Sequence, residues 1–163
     1  MNSIYTRASI RKYQDRPVEK EKTMALLRAA MQAPSAANQQ PWEFYVVTDR
    51  AKLTALGDSQ HFWRMLRTAP LAIVPCIRRD CRLMDLAPTD LALCSENIML
   101  EAVALGLGSV MLGTYPFEPR MKAVAEQLEI PDSLIPFTVL SIGYPAGEQA
   151  QQHRFDESRI HRV

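Results

Sequence analysis

The stretch of residues 33–44 constrains the fold more than any other part of the chain, because it places two prolines between a helical pattern and a strand pattern. Pro34 disfavours helical dihedrals at Ala33, and Pro41 favours an extended conformation at Gln40. The side chains between them are small, or bond readily to nearby backbone. We therefore predict an ordered loop with exposed backbone N–H groups, which suit a flat ligand carrying carbonyl and ring-nitrogen acceptors. The alternative is a simple helix stop and turn.

Length and composition predict one domain over residues 1–163. A hydrophobic fraction of 47% with 23% charged residues is typical of a globular protein. The net charge of +1 gives no reason to expect a nucleic acid or an anionic membrane as partner. No apolar run approaches the roughly 20 residues that span a bilayer, and the N-terminus lacks the apolar core of a secretion signal. We expect a cytoplasmic protein.

The three cysteines predict neither a disulfide framework nor a zinc site. Cys76, Cys81 and Cys94 cannot all pair, and none lies in a C-x-x-C arrangement. No histidine pair lies near them, so zinc ligation is disfavoured. We predict buried or half-buried free thiols and no metal.

Hydrophobic periodicity predicts helices alternating with strands. Helices are indicated over residues 18–32, 49–57, 59–67, 89–105 and 119–131, and strands over residues 42–48, 70–77, 109–114 and 137–142. Asp49 is expected to cap the second helix and Gly57 to end it. Pro75 requires its strand to be an edge or to contain a bulge. Residues 78–88 are charged and irregular, and are predicted to be the most mobile part of the chain.

The helix predicted over residues 89–105 is apolar nearly all the way round, so it must be buried on several sides. A monomer of this size has little room for such a helix, and we expect it to be central and shared with a second subunit. The polar tail of residues 149–163 lacks a core-facing side and is expected to lie on another surface.

Two further patches carry candidate binding residues. Arg7, Ser9 and Arg11 are spaced by two, so in an extended segment they point to one side and can face an anion or a polar ring. The alternative is a solvated basic edge. The glycines of residues 106–113 do not form a dinucleotide-binding fingerprint, because they follow a helix and have the spacing G-x-G-x-x-x-x-G.

Three patches, residues 7–13, 33–44 and 104–113, closely resemble the nitroreductase family of FMN-dependent oxidoreductases in their order and separation. A fourth patch, residues 142–145 followed by Arg154 and Phe155, resembles the C-terminal signature of that family. The resemblance covers nearly the whole chain. It implies an α+β fold with a mixed, mainly antiparallel sheet flanked by helices, assembled as an intertwined homodimer with two FMN sites at the subunit interface.

The resemblance also implies the roles of individual residues. Arg7 and Arg154 would contact the FMN phosphate, and Ser9 and Arg11 would reach the phosphate end and the pyrimidine edge of the flavin. Residues of the loop would line the ring or the ribityl chain from the other subunit, while the end of the last patch would offer backbone groups near N5 and O4. The basic side chains near the two termini would converge on the phosphate across two copies of the chain. The full set of expected cofactor-binding residues is Arg7, Ala8, Ser9, Arg11, Ser35, Ala36, Asn38, Gln40, Leu112, Gly113 and Arg154.

Two departures from the family pattern affect the expected site. Ala8 stands where many relatives have a basic or polar residue, which removes one expected phosphate or ribityl contact. The segment of residues 78–88 is shorter than the lid of larger members, which implies a more open substrate pocket.

The activity implied by the resemblance is reduction of nitroaromatic, quinone or similar small acceptors with NAD(P)H, by a ping-pong mechanism. Because the flavin itself accepts hydride at N5, no catalytic side chain is predicted, and a cation such as Arg11 near N1 and the C2 carbonyl would favour the reduced flavin. One alternative is a flavin-binding storage or regulatory protein without efficient turnover. Another is a specialised enzyme of the family, such as a reductive dehalogenase or a flavin-consuming synthase.

Overall fold

The computed structural model describes residues 2–147 and 152–163, and its centre is a five-stranded sheet. The strands are β1 (Trp42–Val47), β2 (Leu71–Arg78), β3 (Gly108–Gly113), β4 (Leu134–Pro136) and β5 (Thr138–Gly143). Their order is β1-β2-β5-β3, with β4 paired to β2 beyond the end of β5. The pairs between these strands are antiparallel, and the N-terminal segment adds one parallel bridge from Ser9 to Ser109.

Within the described ranges, five α-helices surround the sheet. They are α1 (Ser3–Thr6), α2 (Lys20–Ala30), α3 (Arg50–Ser59), α4 (Ala87–Ala104) and α5 (Glu118–Leu128), with 3-10 turns at Ala36–Asn38, His61–Arg67, Met84–Leu86 and Glu157–Arg159. The predicted α+β fold with a mainly antiparallel sheet is confirmed. No helix in the described part of the chain has the length and apolar character needed to cross a bilayer.

The sheet separates two hydrophobic cores, and β2 contributes to both. Leu71, Ile73 and Ile77 pack in the core that also contains side chains of α2 and α4. Ala72, Val74 and Cys76 pack in the core on the other face, with α3 and α5. This double burial explains why β2 is apolar along nearly its whole length, since alternate side chains enter different cores.

Pro75 lies inside the sheet, opposite a one-residue bulge. The pairing of β2 shifts by one residue between Ile73↔Leu140 and Cys76↔Pro136, which leaves one extra residue at the junction of β4 and β5. The carbonyl of Pro75 accepts a hydrogen bond from the N–H of Phe137 at that junction, 2.9 Å away. The predicted bulge is therefore present, and a position at the sheet edge is wrong.

Several predicted boundaries differ from the structure. Asp49 caps α3 as predicted, accepting a hydrogen bond from the Lys52 N–H at 2.8 Å, but the helix continues past Gly57 to Ser59. Gly57 is buried, and a Cβ there would lie 3.2 Å from the backbone nitrogen of Arg67. The glycine therefore serves close packing rather than helix termination. Helix α1 and strand β4 were not predicted, because elements of three or four residues leave no periodic pattern.

The three thiols are free, as predicted. Cys76 and Cys94 are buried in the two cores, and burial raises the pKa of each thiol to about 12. Cys81 is half-buried. Such thiols are un-ionised at neutral pH and act as small apolar side chains.

The N-terminal strap, defined here as residues 8–13, lies across the ends of β3 and β5. It forms a parallel bridge at Ser9↔Ser109 and continues to an antiparallel bridge at Tyr13↔Pro145. Two paired glycines make room for it, because a Cβ on Gly108 would lie 2.8 Å from the Cβ of Ile10, and one on Gly143 would lie 2.9 Å from the ring of Tyr13. The strap therefore reaches its position by direct backbone contact with the sheet.

Helix α4 is central but not fully covered in one chain. Its buried face carries residues such as Leu91, Ile98 and Ala102, while Leu93 remains 42% exposed. The segment predicted to be mobile, residues 78–88, is hydrogen-bonded near its start, where Arg79 donates its backbone N–H to the carbonyl of Ser133 at 2.9 Å. Its mobility stays a prediction.

Candidate active site

Arg7 and Arg154 lie in the same pocket, although they are 147 positions apart in the chain. The pocket has a volume of about 340 Å³, and its other lining residues come from α1 and the tail. Two guanidinium groups in one hollow attract a multiply charged anion, and their planar donors match phosphate oxygens. One chain is sufficient to bring them together, so the expectation that two copies are needed for this convergence is wrong.

Arg7 has a carboxylate neighbour that the sequence analysis did not identify. Its side chain is only 16% exposed, and its Nε lies 3.6 Å from Oε1 of Glu96 on α4. The pair holds the guanidinium at the pocket wall. An arriving anion would compete with Glu96 for Arg7, because both offer negative oxygens to the same cation.

Arg11 lies in a second hollow, of about 400 Å³, together with Leu112 and Gly113. The hollow combines aromatic and aliphatic side chains with two arginines, Arg11 and Arg120. Such a lining suits a flat apolar ligand that carries partial negative charge at one edge. The structure therefore brings together the residues expected near the pyrimidine and N5 parts of a flavin.

The carbonyl oxygens at the end of β3 are already hydrogen-bonded within the chain. The carbonyl of Leu112 accepts a hydrogen bond from the Thr138 hydroxyl at 2.8 Å, and that of Gly113 accepts one from Arg120 Nη1, also at 2.8 Å. These bonds involve only the carbonyls, and the expectation that the two residues offer backbone groups near N5 and O4 stays a prediction. Arg120 also stacks on the ring of Phe117, with its guanidinium carbon 4.4 Å from the ring centroid.

The strap alternates as an extended segment should. Ser9 and Arg11 are exposed, whereas Ala8 and Ile10 are 8% and 4% exposed. Of the three residues predicted to point to one side, Ser9 and Arg11 are both exposed, whereas Arg7 is largely buried and lines a different pocket from Arg11. The methyl group of Ala8 packs with Ile10 and Tyr13 in a small core cluster, so only the backbone of Ala8 remains to contact a ligand.

The loop of residues 35–40, called the 35–40 loop below, has an unusual backbone. Ala37, Asn38 and Gln40 have φ values of 49°, 53° and 47°, in the left-handed region that residues other than glycine seldom adopt. The predicted ordered loop is therefore present, and a simple helix stop does not account for it. Such outliers occur where the surrounding structure holds the chain, often at functional sites.

The hydrogen bonds within the 35–40 loop correct the prediction about its backbone. The N–H of Ala36 donates to Oδ1 of Asp90 at 2.9 Å, and the N–H of Asn38 donates to the carbonyl of Ser35 at the same distance. The prediction of N–H groups open to a ligand is wrong for these two residues. Gln40 closes the loop, donating its N–H to Ser35 Oγ at 3.0 Å and its side-chain amide to Asn38 Oδ1 at 2.9 Å.

The predicted site residues thus fall into three clusters. Arg7 and Arg154 share one pocket, and Arg11 shares the second with Leu112 and Gly113. The 35–40 loop lines neither of these two pockets and leaves Ala37, Asn38 and Gln40 exposed. Functional neighbours that the sequence analysis missed are Glu96, Arg120, Gln39 and Asp90. The sequence did contain a signal for Asp90, namely an aspartate in a helix predicted to be apolar nearly all the way round, and the structure shows that this residue is buried.

An α+β fold whose sheet is flanked by helices, with cationic hollows beside an apolar lining, suits an anionic ligand bearing a flat ring. A sequence model of the nitroreductase family matches residues 4–63 and 58–144. The chain therefore belongs to the nitroreductase family, which confirms the resemblance.

The chain is also similar to individual relatives over nearly its whole length. An Archaeoglobus fulgidus protein named "Putative NADH dehydrogenase/NAD(P)H nitroreductase" is 46% identical, and the match covers 99% of this chain and 96% of that protein. A solved structure of "Putative NADH Oxidase" from Clostridium acetobutylicum superimposes with a TM-score of 0.94 at 46% identity, covering 98% and 97% of the two chains. An "FMN-dependent Nitroreductase" from Clostridium difficile gives a TM-score of 0.91 at 32% identity, covering 98% and 96%.

Proposed function

We propose that this nitroreductase family member is an FMN-dependent oxidoreductase that takes electrons from NADH or NADPH and passes them to nitroaromatic, quinone or similar small acceptors. The coarser part, an NAD(P)H-dependent flavin oxidoreductase that uses FMN, is supported by its family and by the names of its relatives. The choice of acceptors and a ping-pong order of substrates are proposals. One observation carries the site assignment, namely that Arg7 and Arg154 line a single pocket.

The residues present fit FMN at both ends of the molecule. The phosphate carries about two negative charges at neutral pH, which suits the paired guanidinium groups of Arg7 and Arg154. The hollow beside β3 has an exposed Met111 and a glycine, Gly113, whose missing side chain leaves its face open, with the nearest atom to an added Cβ 3.9 Å away. A flat ring can lie against such a face.

Within this proposal, bound FMN supplies a ring that takes up and releases two electrons. The chain's own residues bind and orient it. Arg7 and Arg154 hold the phosphate, the exposed hydroxyl of Ser9 lies on the same strap, and Arg11 places a positive charge at the ring hollow, which favours extra negative charge there. NAD(P)H and the acceptor occupy the same pocket in turn.

We propose further that the protein is a homodimer whose two sites lie at the subunit interface. The apolar side chain of Leu93 on α4 is 42% exposed, and those of Ile4 and Phe155 are 68% and 83% exposed. A partner covering these side chains would remove apolar area from water. The loop from the partner would complete each site, contributing Ser35, Ala36, Asn38 and Gln40. A single FMN-binding domain over residues 1–163 and a cytoplasmic location stay predictions.

The first experiment is spectroscopic. The purified protein should be yellow, should release FMN on denaturation, and should lose its flavin absorbance on anaerobic mixing with NADH or NADPH and regain it when a quinone is added. Parallel lines in double-reciprocal initial-rate plots would support the ping-pong order. A colourless protein that does not bind added FMN would refute the assignment, and a yellow protein that neither nucleotide bleaches would indicate a flavin-binding protein without turnover. Sedimentation at micromolar concentration should give twice the chain mass.

A further inference from the structure

Two side chains that the sequence analysis left unassigned hold the 35–40 loop in place. Asp90 is 3% exposed, and its Oδ1 accepts a hydrogen bond from the Ala36 N–H at 2.9 Å while its Oδ2 accepts one from Gln39 Nε2 at 2.7 Å. We propose that Asp90 and Gln39 are positioning residues of the cofactor site, which fix the left-handed loop and fasten the segment of residues 79–86 to it. This inference rests on the proposed function for its effect on FMN.

The burial of Asp90 shows that its carboxylate is committed to the loop. A charged group is retained in the interior only when hydrogen bonds replace its lost water. Asp90 lies in the first turn of α4, where the positive end of the helix dipole favours a carboxylate. Its neighbour Leu91 is fully buried in the apolar core. Both hydrogen bonds that the Asp90 carboxylate accepts within the described residues come from the 35–40 loop. The carboxylate therefore acts on that loop.

The two hydrogen bonds fall where the backbone needs restraint. Ala37, Asn38 and Gln40 have left-handed backbone dihedrals. Asparagine tolerates this region better than alanine or glutamine does. The bond to Ala36 comes immediately before this stretch, and the bond to Gln39 lies within it. Strained dihedrals of this kind persist only where neighbouring contacts determine them. Removing the acceptor oxygens of Asp90 should therefore let the 35–40 loop leave its left-handed conformation.

Gln39 also connects the loop to the segment that the sequence analysis considered mobile. Its Oε1 accepts a hydrogen bond from the Leu83 N–H at 2.8 Å, and its Nε2 donates to the Leu83 carbonyl at 3.1 Å. With the bond to Asp90, both ends of the amide group are in use, which fixes its orientation. Ordering of the loop and ordering of residues 79–86 are therefore linked, and each stabilises the other.

The test uses a pair of substitutions that exchange donor and acceptor. Asp90→Asn places an amide where two acceptor oxygens are needed, and Gln39→Glu places a second carboxylate beside Asp90. The double variant Asp90→Asn/Gln39→Glu again sets a donor opposite an acceptor between positions 90 and 39 and keeps one carboxylate at the site. It leaves the Leu83 carbonyl without the donor that Gln39 Nε2 supplies, so it restores only part of the network. Asn97→Ala is the matched control, because Asn97 on α4 donates to the Ala29 carbonyl of α2 at 3.0 Å and does not contact the loop.

Two readouts are measured on the full chain. FMN affinity, from flavin fluorescence titration, should weaken at least tenfold in each single variant, recover in part in the double variant, and stay within threefold of the original in Asn97→Ala. Hydrogen exchange without FMN should be at least tenfold faster in Asp90→Asn at residues 36–40 and at residues 83–86, with α5 unchanged. Should Asp90→Asn not fold, Gln39→Met on the half-exposed loop gives the same comparison.

Three results would overturn the inference. One is unchanged FMN affinity and exchange in Asp90→Asn or Gln39→Met. Another is a folded double variant no better than the single variants. The third is faster exchange at residues 36–40 without any change at residues 83–86, which would refute the fastening of the segment. An original protein that binds no FMN would refute the proposed function instead, while its hydrogen exchange would still test Asp90 and Gln39.

Discussion

Arg7 and Arg154 illustrate how much a single side chain can determine at this site. Each is an ordinary basic residue in sequence, and the pocket that they share is what makes a common anionic ligand possible. Charge-assisted hydrogen bonds to phosphate are stronger than neutral ones, and arginine offers its donors in a fixed plane. Arg154 has no carboxylate partner among the ion pairs described, in contrast to Arg7 with Glu96. Removing the Arg154 side chain should therefore weaken ligand binding more than it destabilises the fold.

Arg154→Ala should weaken FMN binding by about 1.5–3 kcal/mol, which corresponds to roughly a tenfold to hundredfold rise in the dissociation constant. The measurement is a fluorescence titration at two salt concentrations, and the salt dependence should become shallower in the variant. Arg159→Ala is the control, because that guanidinium pairs with Asp156 on the same tail, with Nε and Oδ2 3.0 Å apart. Equal affinity in both variants would mean that the tail does not contact the phosphate.

At the residue scale, the sequence predicted the side chains that we propose bind by charge, and it missed those that we propose act by positioning the loop. Arg7, Arg11 and Arg154 carry their chemistry in their residue type. Asp90 and Gln39 work through contacts separated by 51 positions along the chain, and no local pattern encodes such a pairing. The prediction of free N–H groups in the loop failed for the same reason, because Asp90 already occupies one of them.

At the element scale, long periodic segments were predictable and short ones were not. Helix α4 and strand β2 follow their apolar patterns, because β2 packs in both cores and the buried face of α4 packs in one of them. Strand β4 has three residues and forms only because β2 extends beyond β5. The strap likewise depends on glycines distant in sequence. Its place on the sheet is set by close backbone approach at Gly108 and Gly143.

Gly108→Ala should destabilise the fold and displace the strap. The added methyl would overlap the side chain of Ile10 and come 3.0 Å from the ring of Pro145, and overpacking of this kind costs typically about 1–3 kcal/mol. Because the strap carries Ser9 and Arg11, FMN binding should weaken as well. Denaturant unfolding of the variant provides the measurement.

Gly147→Ala is the matched control for that substitution, because no atom of the residues that the structure describes lies within 4 Å of its added Cβ. Its free energy of unfolding should change by less than about 0.5 kcal/mol. Similar free energies of unfolding in the two variants would show that the strap can shift at little cost, and that its close contact with Gly108 does not stabilise the fold.

At the scale of the whole molecule, one polar cluster links the start of α2 to the end of β5. The hydroxyl of Tyr144 donates to the carboxylate of Glu19, at 2.6 Å from Oε2, and accepts a hydrogen bond from Lys22 Nζ at 2.8 Å. Arg16 stacks on the same ring and pairs with Glu19. The hydrogen bond from Tyr144 is the main reason that the pKa of Glu19 falls from its ordinary 4.5 to about 2.

This cluster should contribute to stability in a pH-dependent way. As the pH falls, the unfolded chain takes up a proton on Glu19 near pH 4.5 while the folded chain does not until about pH 2, so the contribution is full above about pH 5 and is lost over that interval. Tyr144→Phe should therefore lower the free energy of unfolding most above pH 5, and the difference from the original protein should shrink toward pH 3.

The measurement is urea unfolding at pH 6, 4.5 and 3, with Glu19→Gln as a companion variant. In the Glu19→Gln background, Tyr144→Phe should cost the same at each pH, because the titrating group is gone. A stability difference between Tyr144→Phe and the original protein that does not vary with pH would contradict the role given to Glu19.

The bulge opposite Pro75 has a consequence for how the sheet can assemble. Proline has no N–H, so any sliding of β2 along its partner strands would place this gap against a carbonyl that needs a donor. Only the observed register places the missing N–H beside the extra residue at the β4–β5 junction and lets the Phe137 N–H donate to the Pro75 carbonyl. Pro75 thereby fixes the register of β2, and it excludes shifted pairings that the apolar side chains of β2 would otherwise allow.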